Sequence, residues 1–227
     1  DLANPRHRDE VAALWGVQSV PAAPGRTAIE LFAAMKRGLI KAVWIACTNP
    51  AQSLPEQNEV RAALAAAEFV VLQEAYANTD TADYADLMLP ATTWGEKEGT
   101  VTNSERRITH VNAALPAPGE ARHDWQIAVD FALRLGARLK NSLTGHLFPY
   151  RCPEAIFLEH RESTRGRDLD ITGLSYALLD SSGPQQWPLP AGANRGRQRL
   201  YADGVFPTPS GRARFVEVEH RPTAEST

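Results

Sequence analysis

The feature that most constrains this chain is the succession of an apolar strand, a helix and a second apolar strand. The β-rich runs "IKAVWIA" (40–46) and "FVVLQEA" (69–75) enclose "PEQNEVRAALAAAE", which has proline in its first helical turn. Continuous apolar runs are typical of strands that are covered on both faces. Because a strand–helix–strand unit joins parallel neighbours by a right-handed crossover, the pattern predicts an α/β fold.

Flanking segments extend this unit. "RDEVAALWG" predicts a helix that ends at Gly16, while Thr27 and Glu30 predict a capping box for the helix "TAIELFAAMKRG". "TDTADYA" predicts a short helical turn, and "DLMLP" predicts a third strand that stops at Pro90. We therefore expect a doubly wound, mostly parallel sheet with flanking helices, whose core spans residues 27–110.

The second half of the chain is less regular. "WQIAVDFALRLGARL" predicts a helix with Asp124 as its N-cap and with Ile127, Phe131 and Leu135 on one stripe. "PEAIFLEH" and "DITGLSYALLD" predict two more helices, and "RLYADGVFPTPSGRARFVEV" predicts two strands around the turn "TPSG". We expect the tail "HRPTAEST" to be disordered.

Composition excludes several classes of function. A net charge of −3 over 227 residues gives no basic field for nucleic acid or an anionic membrane. No apolar run approaches the roughly 20 residues that span a bilayer. Cys47 and Cys152 form no CxxC pattern, so we expect no disulfide framework and a cytoplasmic location. No HxxxH pair is present, so no metal ligands are assigned, and Cys47 is interpreted as a small core residue.

Polar turns follow the predicted strands, at the sheet edge where ligands of such folds bind. Thr48 and Asn49 in "TNP" can hydrogen-bond a purine, a ribose or a phosphate, although the turn can equally cap the next helix. Glu74 and Asp80 follow the second strand, where a carboxylate can hold a ribose hydroxyl or a guanine edge; a solvated loop acid is the alternative. GxGxxG and GxxxxGK[ST] are both absent.

The third turn, "WGEKEGTVTNSERR" (94–107), is interpreted as a ligand-binding loop. Gly95 and Gly99 are expected to adopt positive φ, and Lys97 offers a charge for a phosphate. Arg106 and Arg107 are expected to pair with glutamates of the loop. A surface cluster of ion pairs is the alternative interpretation.

Two other features are interpreted without a ligand. His123 beside Asp124 suggests a catalytic dyad, but no nucleophile motif lies nearby, so no catalytic residue is assigned. The three tryptophans of this region are expected to anchor packing: Trp94, Trp125 and Trp187.

With these stretches assembled, a family resemblance becomes visible. "WIACTNPAQSLP", "TDTADYADLMLPATTWGEKEGTVTNSERRI" and "PAPGEARHDWQIA" resemble the catalytic subunits of bacterial assimilatory nitrate reductases. These belong to the molybdopterin oxidoreductase family and carry molybdenum in bis-molybdopterin guanine dinucleotide. The resemblance extends to "DLANPRHRDEVAALWG" and "YADGVFPTPSGRARF".

The resemblance implies roles for particular residues. Asn49, beside Thr48, would contact the guanine dinucleotide; Lys97 would reach its phosphate or guanine end; and Asp124 would accept hydrogen bonds from it. Gln73 and Glu74 would also bind the cofactor: related periplasmic nitrate reductases carry Ser-Asp at these positions, and Glu74 keeps the carboxylate one carbon further out. Two further residues, Asn103 and Arg106, would shape the loop.

The resemblance also implies an internal fragment of a longer enzyme that reduces nitrate to nitrite. Residues 1–140 would form the α/β cofactor-binding domain, and residues 141–227 would be an irregular α+β connector towards a missing C-terminal domain. A [4Fe–4S] cluster and the molybdenum ligand would lie outside this chain, an electron-donor protein or reductase subunit would be the partner, and the isolated chain would be inactive.

Three alternatives stay open at this point. The parent enzyme could be a formate dehydrogenase or a respiratory-type nitrate reductase with the same cofactor. The chain could be a non-catalytic module such as the large subunit of NADH dehydrogenase. It could also be a nucleotide-binding regulatory domain unrelated to molybdenum.

Overall fold

A computed structural model of the chain describes residues 2–222, so much of the expected disordered tail lies outside the described residues. The chain divides into two compact units. The first comprises Asp1–Thr100 and His110–Glu159, and the second comprises Val101–Thr109 and His160–Thr227. Within the described residues, no helix has the length and apolar character to cross a membrane.

A three-stranded parallel sheet forms the centre of the first unit, as predicted. Its strands are β1 (Ala42–Ala46), β2 (Phe69–Glu74) and β3 (Leu87–Pro90), in that order across the sheet. The register pairs Ala46 with Gln73 and Glu74 with Pro90. The carboxyl ends of the three strands are therefore neighbours on one edge.

Local capping chemistry sets the ends of the first helices. Helix α1 (Pro5–Trp15) ends at Gly16, whose φ of 65° is the left-handed cap that the sequence predicts. Helix α2 (Ala28–Lys36) begins with the predicted capping box, in which Thr27 and Glu30 bond reciprocally.

The main core lies between one face of the sheet and two helices. A short helix α3 (Pro50–Ser53) leads into α4 (Gln57–Ala66), which packs beside α2. Met35, Leu64 and Leu72 are fully buried there, and each contributes roughly 1.5–3 kcal/mol through the burial of apolar surface.

Helix α5 (Asp124–Arg138) covers part of the opposite face of the sheet. Side chains alternate along a strand, so Trp44 points away from the core that buries Ile45. The Trp44 ring meets Phe131 of α5 edge-on, with ring centroids 4.9 Å apart. Helices on both faces confirm the predicted α/β class.

The predicted N-cap of α5 is wrong. His123, not Asp124, is the N-cap residue, and Asp124 is the first helical residue. Of the predicted apolar stripe only Ile127 is buried, while Phe131 is 50% exposed and Leu135 is largely exposed as well. A one-turn helix, α6 (Thr144–Leu147), follows α5.

The remaining elements are short. The chain continues through α7 (Pro153–Ser163), which starts at proline as predicted, and α8 (Tyr176–Ser182), which begins within "DITGLSYALLD". The start of β5 (Arg107–Val111) belongs to the second unit and pairs antiparallel with β6 (Gln185–Gln186).

The two strands predicted around "TPSG" are not found. Gly211 N–H bonds to the carbonyl of Thr208 across the turn, but no strand flanks it among the described residues. Phe215, Val216 and Val218 are strongly exposed. They lack an apolar surface to pack on, which a strand face requires.

The stretch 94–107 is more regular than the predicted loop. It contains a 3-10 turn (Trp94–Glu96) and β4 (Gly99–Thr102), which neighbours β5. The expected positive φ at Gly95 and Gly99 is not observed; the left-handed residue is Arg106, with a φ of 62°. Arg106 N–H bonds to Asn103 O in the tight hairpin turn, and this turn imposes the left-handed conformation.

Candidate functional site

Backbone pairing brings four segments together at the carboxyl edge of the parallel sheet. Cys47 N–H donates to Gln73 O over 3.1 Å, so the first residue after β1 lies beside the end of β2. Ala91, which follows β3, forms a parallel bridge with Arg122. That bridge places the start of α5 next to the end of β3.

Asp124 is the centre of the resulting cluster. Its Oδ1 accepts from Gln73 Nε2 over 2.8 Å and from Cys47 Sγ over 3.3 Å. Its Oδ2 lies 3.1 Å from Lys97 Nζ. Three of the residues expected to bind one ligand are therefore in direct contact.

The cluster keeps Asp124 ionised. Burial acts to raise the pKa of this carboxyl group, but hydrogen bonds from Gln73, Cys47 and Lys97 lower it below its ordinary value. Burial raises the pKa of the Cys47 thiol, and the hydrogen bond to the Asp124 carboxylate and its charge act in the same direction. At neutral pH Asp124 is therefore a carboxylate and Cys47 is a neutral thiol.

Asn49 lies two residues beyond Cys47, in the turn that enters α3. Its Oδ1 accepts from the backbone N–H and the hydroxyl of Thr81, over 3.1 Å and 2.6 Å. Its Nδ2 donates to Gln52 Oε1 over 3.0 Å. Thr48, immediately before it, is exposed.

The two acids after β2 differ in their surroundings. Glu74 is half-buried, and its Oε1 accepts from the N–H of Ala75 over 2.7 Å, which leaves carboxylate lone pairs for other donors. Asp80 lies 3.9 Å from Arg61 at a side-chain ion pair. Glu74 is therefore the better placed of the two for a ligand at this edge.

Lys97 is held near the cluster by its own segment. Thr93 and Glu96 form a reciprocal capping box in the preceding 3-10 turn. Lys97 Nζ lies 5.5 Å from the centroid of the Trp94 ring, within the range of a cation–π contact. Trp94 is 65% exposed, so its predicted role as a packing anchor is wrong.

The expected pairing of the two arginines is half correct. Arg107 Nε lies 3.1 Å from Glu105 Oε2, as predicted. Arg106 instead donates to the backbone carbonyls of Trp187, Arg197 and Gln198.

Two residues of the site were not identified from the sequence. Cys47 was interpreted as a core residue, but it is exposed, adopts a φ of 58° and donates to Asp124. Thr81 lies in a stretch that was interpreted only as a helical turn, although it is buried and bonded to Asn49. No local signal singles out Thr81, because Thr79, Asp80 and Asp83 of the same stretch are also polar.

Buried polar atoms beside the cluster fit a polar ligand. Thr92 Oγ1 and His123 Nδ1 are buried and have no hydrogen-bond partner among the described residues. They flank the bridge between Ala91 and Arg122. With the ammonium group, amides and carboxylates already described, they supply donors and acceptors suited to a nucleotide. In residues 2–222 no three His, Cys, Asp or Glu side chains come together as a metal site.

Comparison with known proteins decides the family. Residues 3–134 match the family described as molybdopterin oxidoreductase, which is more than half of the chain. This chain belongs to the molybdopterin oxidoreductase family. The segment that matches contains every residue of the candidate site, from Cys47 to Asp124.

Relatives in the family refine the comparison. The chain is 38% identical to a nitrate reductase of Synechocystis sp. over 99% of its length, and 38% identical to an assimilatory nitrate reductase catalytic subunit of Bacillus subtilis over 97%. It spans 31% and 30% of those proteins. The resemblance to assimilatory nitrate reductases is thereby confirmed.

A solved structure supports the fold. Acetylene hydratase from Pelobacter acetylenicus superimposes with a TM-score of 0.59 at 21% identity, and the match covers 90% of this chain and 26% of that one. At this identity the likeness concerns the fold alone.

Proposed function

We propose that this chain holds the guanine dinucleotide end of a molybdenum–pterin cofactor at the carboxyl edge of its parallel sheet. The observation that carries the proposal is the contact of Gln73, Lys97 and Cys47, from three separate segments, with the single carboxylate of Asp124. Such convergence at this edge is typical of ligand sites in open α/β sheets.

Each side chain has a distinct chemical part in the proposal. Lys97 pairs with a phosphate oxygen or the guanine end, and Asn49, beside Thr48, donates a hydrogen bond. The carboxylate of Glu74 accepts from a ribose hydroxyl or a guanine N–H. Asp124, oriented by Gln73, accepts from the cofactor and keeps Lys97 in place before binding.

We extend the proposal to the parent protein, a nitrate reductase of nitrate assimilation. Its bound cofactor supplies the oxygen-atom transfer, while residues of this chain supply orientation and charge. Residues 1–140 act as the cofactor-binding domain, and residues 141–227 connect to a further domain. A [4Fe–4S] cluster elsewhere in the parent receives electrons from a donor protein or a reductase subunit in the cytoplasm.

Biochemical assays of the full-length protein test both the cofactor site and the activity of the parent protein. We expect it to contain molybdenum and about two guanine nucleotides per chain, and to form nitrite from nitrate. The variant Lys97→Ala should retain less guanine nucleotide. Lys41→Ala is the matched control because, within the described residues, the ion pair of Lys41 is the exposed one with Glu68, 2.7 Å away. Protein free of molybdenum and guanine would contradict the proposal and favour a non-catalytic module.

Formate oxidation is the second candidate activity. The chain is 37% identical, over 82% of its length, to a protein named F420-dependent formate dehydrogenase subunit alpha from Methanocaldococcus jannaschii. Parallel assays of the full-length protein with nitrate and with formate separate the two. Turnover of formate alone would replace nitrate in the proposal while leaving the cofactor site unchanged.

A further inference from the structure

Asn49 is anchored to Thr81, a residue to which the proposed function assigns no part. The Thr81 side chain is fully buried. Its backbone N–H and its hydroxyl both donate to Asn49 Oδ1, over 3.1 Å and 2.6 Å. Two donors therefore occupy the carbonyl oxygen of the Asn49 amide.

Backbone groups fix the direction of both bonds. A backbone N–H can only donate, so the amide atom that faces Thr81 N must be oxygen and not nitrogen. The N–H of Ala51 donates to Thr81 Oγ1 over 3.1 Å, which leaves the hydroxyl hydrogen to point at Asn49. A flip of the Asn49 amide would therefore place its N–H donors against the two donors of Thr81 and leave all of them without acceptors.

This orientation gives Asn49 only donors on its outer side. One N–H of Nδ2 bonds to Gln52 Oε1 over 3.0 Å, and the second N–H remains for a ligand. A donor requires an acceptor on the ligand. Guanine O6 and phosphate oxygens are acceptors, whereas the exocyclic amino group of adenine is a donor.

We infer that Thr81 is a positioning residue that fixes the Asn49 amide so that it donates to an acceptor oxygen of a bound guanine nucleotide. The inference rests on the proposed function of the site. Thr81 itself does not touch the ligand. If the Thr81 hydroxyl is removed, the Asn49 amide loses one of its two hydrogen bonds to Thr81. It then presents its N–H donor to the ligand for only part of the time.

Nucleotide titrations into the purified chain test the inference, with GDP, ADP and guanosine as probes. Thr81→Val removes the hydroxyl while keeping the shape of the side chain, and Thr81→Ser restores the hydroxyl. We expect Thr81→Val to weaken GDP binding about tenfold, the effect of one hydrogen bond, and Thr81→Ser to bind like the wild type.

Thr144→Val is the matched control. Thr144 is another buried threonine of the first unit, and its hydroxyl donates to Asn141 O over 3.1 Å. This variant loses a hydroxyl of the same kind but does not touch Asn49. Its affinity for GDP should equal that of the wild type even if its thermal stability falls.

The three probes locate the acceptor oxygen. If Thr81→Val loses affinity for GDP and guanosine but not for ADP, the acceptor oxygen lies on the base. If it loses affinity for GDP and ADP but not for guanosine, the acceptor oxygen lies on a phosphate. The side-chain amide signals of Asn49 in nitrogen-15 NMR give a readout without ligand. They should shift in Thr81→Val and stay in place in Thr81→Ser.

The outcomes distinguish a failure of the proposed function from a failure of the positioning role of Thr81. A wild type that binds neither GDP nor ADP contradicts the proposed function and the positioning role with it. If the wild type binds GDP, two results overturn the positioning role alone. In one, Thr81→Val binds GDP as tightly as the wild type. In the other, Thr81→Ser binds GDP as weakly as Thr81→Val.

Discussion

At the scale of single residues, Asp124 is the carboxylate around which the candidate site is arranged. It bonds to an amide, a thiol and an ammonium group, and it was predicted from the sequence as a helix cap. The sequence could indicate that a carboxylate begins α5, because short acids are common there. It could not indicate which distant side chains would meet it, since that depends on the bridge between Ala91 and Arg122.

Replacing Asp124 with asparagine should make Cys47 more reactive. The carboxylate helps to raise the pKa of the Cys47 thiol, after burial, so its removal increases the thiolate fraction at pH 8. Mass spectrometry after iodoacetamide labelling should show faster alkylation of Cys47 in the variant. Cys152, the other exposed cysteine, is the internal control. Equal rates at Cys47 in the two proteins would contradict the described contact.

The stabilising effect of Asp124 should depend on pH. Because its pKa is lowered in the folded chain, its contribution is present above the unfolded value of about 4 and is lost as pH falls through the folded value. Urea unfolding should show wild type more stable than Asp124→Asn at pH 7, with a smaller difference at pH 3. Glu68→Gln, which removes an exposed acid paired with Lys41, should change little at pH 7. A difference in stability between the wild type and Asp124→Asn that grows towards pH 3 would refute this account.

At the scale of elements, regular patterns were predictable and turn geometry was not. The parallel strands and the capping box of Thr27 and Glu30 follow from local residue order, because apolar runs and short polar caps act over a few residues. The positive φ expected at Gly95 and Gly99 lies at Arg106 instead. The tight turn that begins at Asn103 imposes this conformation on Arg106, and the residue pattern did not indicate which residue would take that place in the turn.

Arg106→Ala should destabilise the second unit. The guanidinium group donates to three backbone carbonyls and lies 5.6 Å from the Trp187 ring, so its loss should cost about 2 kcal/mol. Urea unfolding followed by tryptophan fluorescence measures the change. Arg107→Ala is the control, because the ion pair of Arg107 found among residues 2–222 is with an exposed Glu105, and it should change stability by less than about 1 kcal/mol. Equal effects of the two substitutions would argue against the described contacts.

At the scale of the whole molecule, the chain spans about a third or less of the length of the relatives it matches. It spans 31% of a nitrate reductase of Synechocystis sp. and 25% of one from Klebsiella oxytoca. We expect the 227-residue chain alone to form no nitrite from nitrate with a reduced viologen as electron donor, because in the proposed function the cluster and the molybdenum ligand would lie outside this chain. Full-length protein in the same assay is the control. Robust nitrite formation by the chain alone would disprove this division of labour.

The central claim is that ends of neighbouring parallel strands converge to hold a guanine nucleotide, and NMR mapping of GDP on the nitrogen-15-labelled chain tests it most directly. The account predicts that backbone and side-chain signals of one group of residues shift together and saturably: Thr48, Asn49, Gln73, Glu74, Lys97 and Asp124. Shifts confined to other parts of the chain, or none at millimolar GDP, would contradict the account.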